Sequence, residues 1–114
     1  MHSTYITLTS LEHFRSMEFM NPGTRLVLKK EVNAYDDEAI AVYSERGTKY
    51  GYVANSCHTV ARGTHSAGYI YRDFEDQAAC VVRFRKDDMA IAELETGTED
   101  SEETEEVAND EGDA

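Results

Sequence analysis

One segment combines residue types that could do chemistry: Lys29-Lys30-Glu31-Val32-Asn33-Ala34-Tyr35-Asp36-Asp37-Glu38, followed at once by Ala39-Ile40-Ala41-Val42. It joins two apolar runs through a loop that holds an amide, an aromatic ring and carboxylates side by side. Loops of that kind serve turns or ligands. In the turn reading, Asn33 and Asp36 bond nearby backbone amides and Tyr35 covers the edge of the fold. In the ligand reading, the Tyr35 ring and the Asp36 carboxylate stand open to solvent.

Other chemistries find less support. Ser66, in Thr64-His65-Ser66-Ala67-Gly68, lacks the first glycine of a G-x-S-x-G nucleophile elbow. His2, His13, His58 and His65 have no HExxH spacing, and Cys57 and Cys80 are too few for a thiolate zinc site. Asp36, Asp37 and Glu38 would suit a divalent cation as oxygen ligands, yet no EF-hand glycine and glutamate follow them. With no P-loop or dinucleotide-type glycine loop, any nucleotide hydrolysis belongs to a partner. The expectation is a binding module without catalytic residues, metal or cofactor.

The elements that must position this loop read mostly as strands. Tyr5 to Leu8 is rich in aromatic and β-branched residues, and Arg25 to Lys30 puts Leu26 and Leu28 on one face after the turn signal Asn21-Pro22-Gly23. Ala39 to Tyr43 and Tyr50 to Ala54 form a hairpin with Gly47 at a positive-φ position. Asn55 or Ser56 is expected to cap a short helix running to about Arg62, with Gly63 as its stop. Ala78 to Phe84 and Met89 to Leu94 close the fold around Lys86-Asp87-Asp88, with Val81, Val82, Phe84, Ile91 and Leu94 as core candidates. Short strands at this spacing predict a small β-barrel with one or two short helices.

Charge is divided unevenly along the 114 residues. The whole chain carries a net charge of −12, but from Glu95 onward there are ten acids and no base. The first 94 residues therefore hold 13 acids against 11 bases and are nearly neutral. The segment from residue 96 has no aromatic residue and one valine, too little apolar area to offset its ordering entropy, and is expected to be a disordered acidic tail after a domain at 1–95. Two distant cysteines, no apolar run of membrane length and no signal-like N-terminus suggest a soluble, reduced, cytoplasmic protein.

Asn33-Ala34-Tyr35-Asp36, then Ala39-Ile40-Ala41-Val42, then Gly51-Tyr52-Val53 after a short turn resemble the signature of the HIRAN family. That signature is a charged pair, an N-P-Y-D-like loop, an A-I-x-V strand and a G-Y/H-(I/V/L) strand. The resemblance covers about residues 4 to 94, and Gly51 to Ser56 with Gly63 to Gly68 is similar to small stand-alone bacterial members. It implies an OB-like barrel that, in DNA-binding members, grips the free 3′ end of single-stranded DNA. Carried over, Tyr35 stacks on a base, Asp36 accepts from the terminal hydroxyl, Asn33 supports it, and Tyr52 takes the family's aromatic or histidine position.

The first loop departs from that pattern. Where DNA-binding relatives have an Arg and two Tyr, this chain has Glu12-His13-Phe14. His13 and Phe14 can still stack, whereas a carboxylate at Glu12 opposes a phosphate. Ala34 replaces the loop proline. Arg15, Arg25, Lys29, Lys30 and Arg62 are the cations available to line a groove. The expected partner is single-stranded or 3′-ended DNA, with a helicase or DNA-repair protein as a further one; the competing reading is a protein-interaction module that keeps the barrel and has lost DNA binding. The tail suggests a polyanion competing with the phosphate backbone.

Overall fold

The computed structural model describes residues 3–34 and 36–95. Six strands form, with β2 alternating buried and more exposed positions and β1, β3 and β6 each buried over three consecutive residues: β1 (Tyr5–Thr9), β2 (Arg25–Lys30), β3 (Ile40–Tyr43), β4 (Lys49–Val53), β5 (Gln77–Lys86) and β6 (Met89–Glu95). They pair antiparallel in the order β1-β4-β3-β2-β5-β6, and β6 returns to β1, so the sheet closes into a barrel. Closure removes the free edges an open sheet would present. The lumen is filled by Ile6, Leu8, Leu26, Leu28, Ile40, Val42, Cys80, Val82, Ala90, Ala92 and Leu94. Each large aliphatic side chain buried there contributes about 1.5–3 kcal/mol.

Two bulges decide which side chains face outward. Val82 pairs with Ala92 but Phe84 pairs with Ile91, so Arg83 is the extra residue on β5. A strict period of two would point Phe84 into the lumen; the bulge turns it out, where it is 53% exposed. Phe84 is therefore not a core residue. Val81 is also only half-buried, between Arg25 and Glu93 on the outer face, while Val82, Ile91 and Leu94 are buried as expected. The second bulge lies in the β3–β4 hairpin, where Val42 pairs with Gly51 and Tyr43 with Lys49.

The helix expected from Asn55 or Ser56 to about Arg62 does not form. Ser56 starts a turn instead: its carbonyl accepts from the amides of Thr59 and Val60, and its hydroxyl accepts from the His58 amide. The chain is then diverted by tertiary bonds, the Ala61 amide donating to Thr7 Oγ1 at 3.0 Å and Thr64 Oγ1 meeting Thr7 Oγ1 at 2.8 Å. The helix stands further on, at α1 (Ala67–Ile70), capped by Ser66, whose hydroxyl accepts from the Tyr69 amide at 3.1 Å. Short 3-10 turns occupy Met17–Phe19 and Tyr71–Asp73. Among the described residues, no helix is long and apolar enough to cross a membrane. The acidic tail lies outside the described residues.

Candidate nucleic-acid interface

The hairpin bulge builds the first half of the site. Lys49 and Tyr52 are three residues apart, a spacing that would place them on opposite faces of a regular strand. Because Tyr50 is the extra residue, Lys49 lies opposite Tyr43 and Tyr52 opposite Ala41, and both point outward. There Lys49 Nζ donates to Tyr52 Oη at 2.7 Å and to Glu31 Oε1 at 2.6 Å, and Tyr52 Oη donates to Glu31 Oε2 at 2.8 Å. The Lys49 ammonium also sits 4.6 Å from the Tyr52 ring centroid.

Electrostatics lock this triangle. The Lys49 hydrogen bond, first, holds the Glu31 carboxyl below its usual range; burial opposes this, and bonds from Tyr52 and Asn33 reinforce it. Burial works against the Lys49 ammonium, but its bonds to Glu31 and Tyr52 outweigh that cost and raise its pKa above the ordinary lysine value. Lys49 and Glu31 side chains are 29% and 24% exposed, so the pair is half-buried.

The loop between β2 and β3 continues the network. Asn33 Nδ2 donates to Glu31 Oε2 at 3.3 Å, and Asn33 Oδ1 accepts from the Asp36 amide at 2.8 Å. The Asp36 carboxylate accepts from the Glu38 amide at 2.8 Å and from Asn55 Nδ2 at 3.2 Å, while Asn55 Oδ1 accepts from the Gly68 amide at 2.8 Å. Asn33 and Asp36 thus do make the local turn bonds expected of them. Among the described residues two groups donate to Asp36, and an ionised carboxylate can accept about four bonds. Tyr35 lies outside the described residues.

The first loop supplies the rings. Ser10 and Arg15 both adopt left-handed backbone, with φ of 64° and 56°, at either end of the turn that carries Glu12, His13 and Phe14. Leu11 is buried beneath it, and the Ser16 hydroxyl, also buried, lies 2.7 Å from the Tyr50 carbonyl oxygen, to which it donates. This holds Phe14 6.1 Å from Tyr52, between ring centroids, with His13 edge-on to Phe14 at 5.0 Å. Gly51 permits the approach, since a Cβ there would collide with the Thr9 carbonyl oxygen and press on Leu11.

One rim of the barrel therefore gathers His13, Phe14, Tyr52, Asn33 and Asp36 in a continuous chain of contacts. Lys30 is not among them. Its ammonium donates to the Phe74 carbonyl at 2.6 Å and lies over the Tyr71 and Phe74 rings at 4.3 and 5.0 Å. Arg25 is held between Glu45 and Glu95, and Lys29 lies 5.1 Å over the Tyr43 ring. Glu31, Lys49 and Asn55 also belong to this network, and the sequence alone does not single them out. Lys49 could not be read because the bulge is a pairing feature, and Asn55 because its amide looks like a helix cap. Among the described residues no group of three His, Cys, Asp or Glu side chains is disposed to hold a metal ion.

The fold is a small closed six-stranded β-barrel with aromatic rings and polar groups gathered on one rim. The profile of the HIRAN domain matches residues 1–96, and the chain belongs to that family. The HIRAN domain is, in general, a nucleic-acid-binding module that binds DNA. No curated protein and no solved structure matches the chain.

Proposed function

We propose that this barrel binds single-stranded DNA at its 3′ end, without catalysing a reaction on its own. The observation that carries the reading is the continuous network from Tyr52 through Glu31 and Asn33 to Asp36. It sets a stacking surface and an acceptor on one rim, both held by the fold before any ligand arrives. Stacking on Phe14, His13 and Tyr52 tolerates any base, and Asp36 accepts from a terminal hydroxyl, which only an end offers. Preorganisation of this kind lowers the entropy cost of binding.

The charge distribution favours stacking over phosphate contacts. Arg25, Lys49 and Arg83 are already paired with carboxylates, and exposed Glu12 opposes phosphate. That same observation favours the rival reading, a HIRAN barrel that has turned to a protein partner such as a helicase or repair protein. Fluorescence anisotropy with a labelled single-stranded oligonucleotide separates the two. The account expects saturable binding that weakens by about 1–3 kcal/mol in Phe14→Ala, the range for removing one stacking ring. Binding that is no tighter for the single strand than for a blunt duplex, or indifference to Phe14→Ala, supports the rival.

A further inference from the structure

We propose that a second stacking platform, the His65–Tyr69 pair, extends the site across α1 and takes a further base of the same single strand; this rests on the strand-end reading above. The two rings are parallel within 12°, with centroids 4.1 Å apart, and Tyr69 is 64% exposed. An exposed aromatic residue standing alone would call for no explanation, but the Tyr69 ring is stacked on a second ring, His65, rather than on the core.

Both members are fixed from below. The His65 amide donates to the Tyr5 carbonyl at 2.7 Å, and His65 bridges to Ile6, so its backbone belongs to the barrel wall. Tyr69 sits in α1 with its amide capped by Ser66 and with Ala67 and Ile70 buried on either side. The ring is thus presented on a rigid support, with its inner face on the imidazole. A flat, exposed ring backed by a second ring suits a nucleobase, whose whole face can be covered without a hydrogen-bond pattern.

The platform is continuous with the Asp36 site. Gly68, next to Tyr69, donates its amide to Asn55 Oδ1, and the same Asn55 donates to the Asp36 carboxylate. A side chain at Gly68 would run into the Glu38 carboxylate and Asn55, so the helix packs directly on the loop that carries Asp36. A strand whose terminal hydroxyl rests on Asp36 would end beside α1, with only Asn55 between that carboxylate and the Gly68 amide. Tyr69 then stacks a base that the first loop does not reach.

The test is a cycle between Tyr69→Ala and abasic sites walked along a 3′-hydroxyl oligonucleotide, read by anisotropy on the full chain. Tyr69→Ala should weaken binding roughly five-fold or more on the intact strand, and Tyr69→Phe should not. At one abasic position the loss from Tyr69→Ala should vanish, because the base it stacks is already gone. An unchanged melting temperature in Tyr69→Ala separates lost stacking from lost folding. If Tyr69→Ala has no effect while Asp36→Ala does, the platform is overturned and the strand-end site stands. If the loss is equal at every abasic position, the platform is likewise overturned. If the unaltered chain binds no strand, both fall.

Discussion

At the residue scale, Glu31 is the hub of the site. It accepts from Lys49, Tyr52 and Asn33, and its carboxyl is held below its usual value. A depressed carboxyl contributes stability that is present above its unfolded pKa, near 4.5, and is lost as the pH falls through its lower folded value. Lys49, raised in the fold, contributes stability below about 10.5 that is lost as the pH rises through its higher folded value. Glu31→Gln should cost about 1 kcal/mol at neutral pH and flatten the loss of stability on the acid side, measured by urea unfolding between pH 3 and 7. An acid limb as steep as in the unaltered chain would show that other carboxylates set it. The loop sequence discloses the turn bonds of Asn33 and Asp36, but a hub at Glu31 is not legible, since two of its three partners, Lys49 and Tyr52, come from β4, one strand beyond β3.

At the element scale, the strands were legible and the bulges were not. Arg25–Lys30 appears with the bounds read from its leucine alternation, and Gly47 takes the positive φ, 95°, that the hairpin turn requires. Periodicity reports a regular strand and says nothing of where an extra residue is absorbed. That is why periodicity places Phe84 in the core and gives no sign of Lys49 beside Tyr52. The misplaced helix has a similar origin: Asn55 and Ser56 are good caps, yet Asn55 spends its amide on Asp36 and Gly68, and Thr7 captures the chain at Ala61. Ser66, dismissed as a nucleophile, is the real cap. Gly51 is the element-scale requirement for the site. Gly51→Ala should destabilise the barrel by about 1–3 kcal/mol or more, because the blocking atom is the Thr9 backbone carbonyl. Urea unfolding checks this, and a change within about 0.5 kcal/mol would mean that the end of β1 can withdraw from β4.

At the scale of the whole molecule, a nearly neutral barrel is joined to a strongly acidic segment. Of the eleven Lys and Arg residues, Arg25, Lys49 and Arg83 are paired with carboxylates within the fold, and the acidic segment would compete with a phosphate backbone for cations such as Arg15 and Arg62. Removing residues 96–114 should raise the affinity for a single strand at low salt and change it little at high salt, where screening already mutes the polyanion. Equal affinity with and without the segment at low salt would assign it no part in binding.

The proposed recognition of a strand end rests on Asp36. Anisotropy should be measured with a 3′-hydroxyl oligonucleotide and its 3′-phosphate twin, each against the unaltered chain and Asp36→Ala. The account predicts that the unaltered chain prefers the hydroxyl end by at least about ten-fold, the worth of one hydrogen bond to a charged group, and that Asp36→Ala abolishes the preference. Equal binding to both ends by the unaltered chain would contradict it.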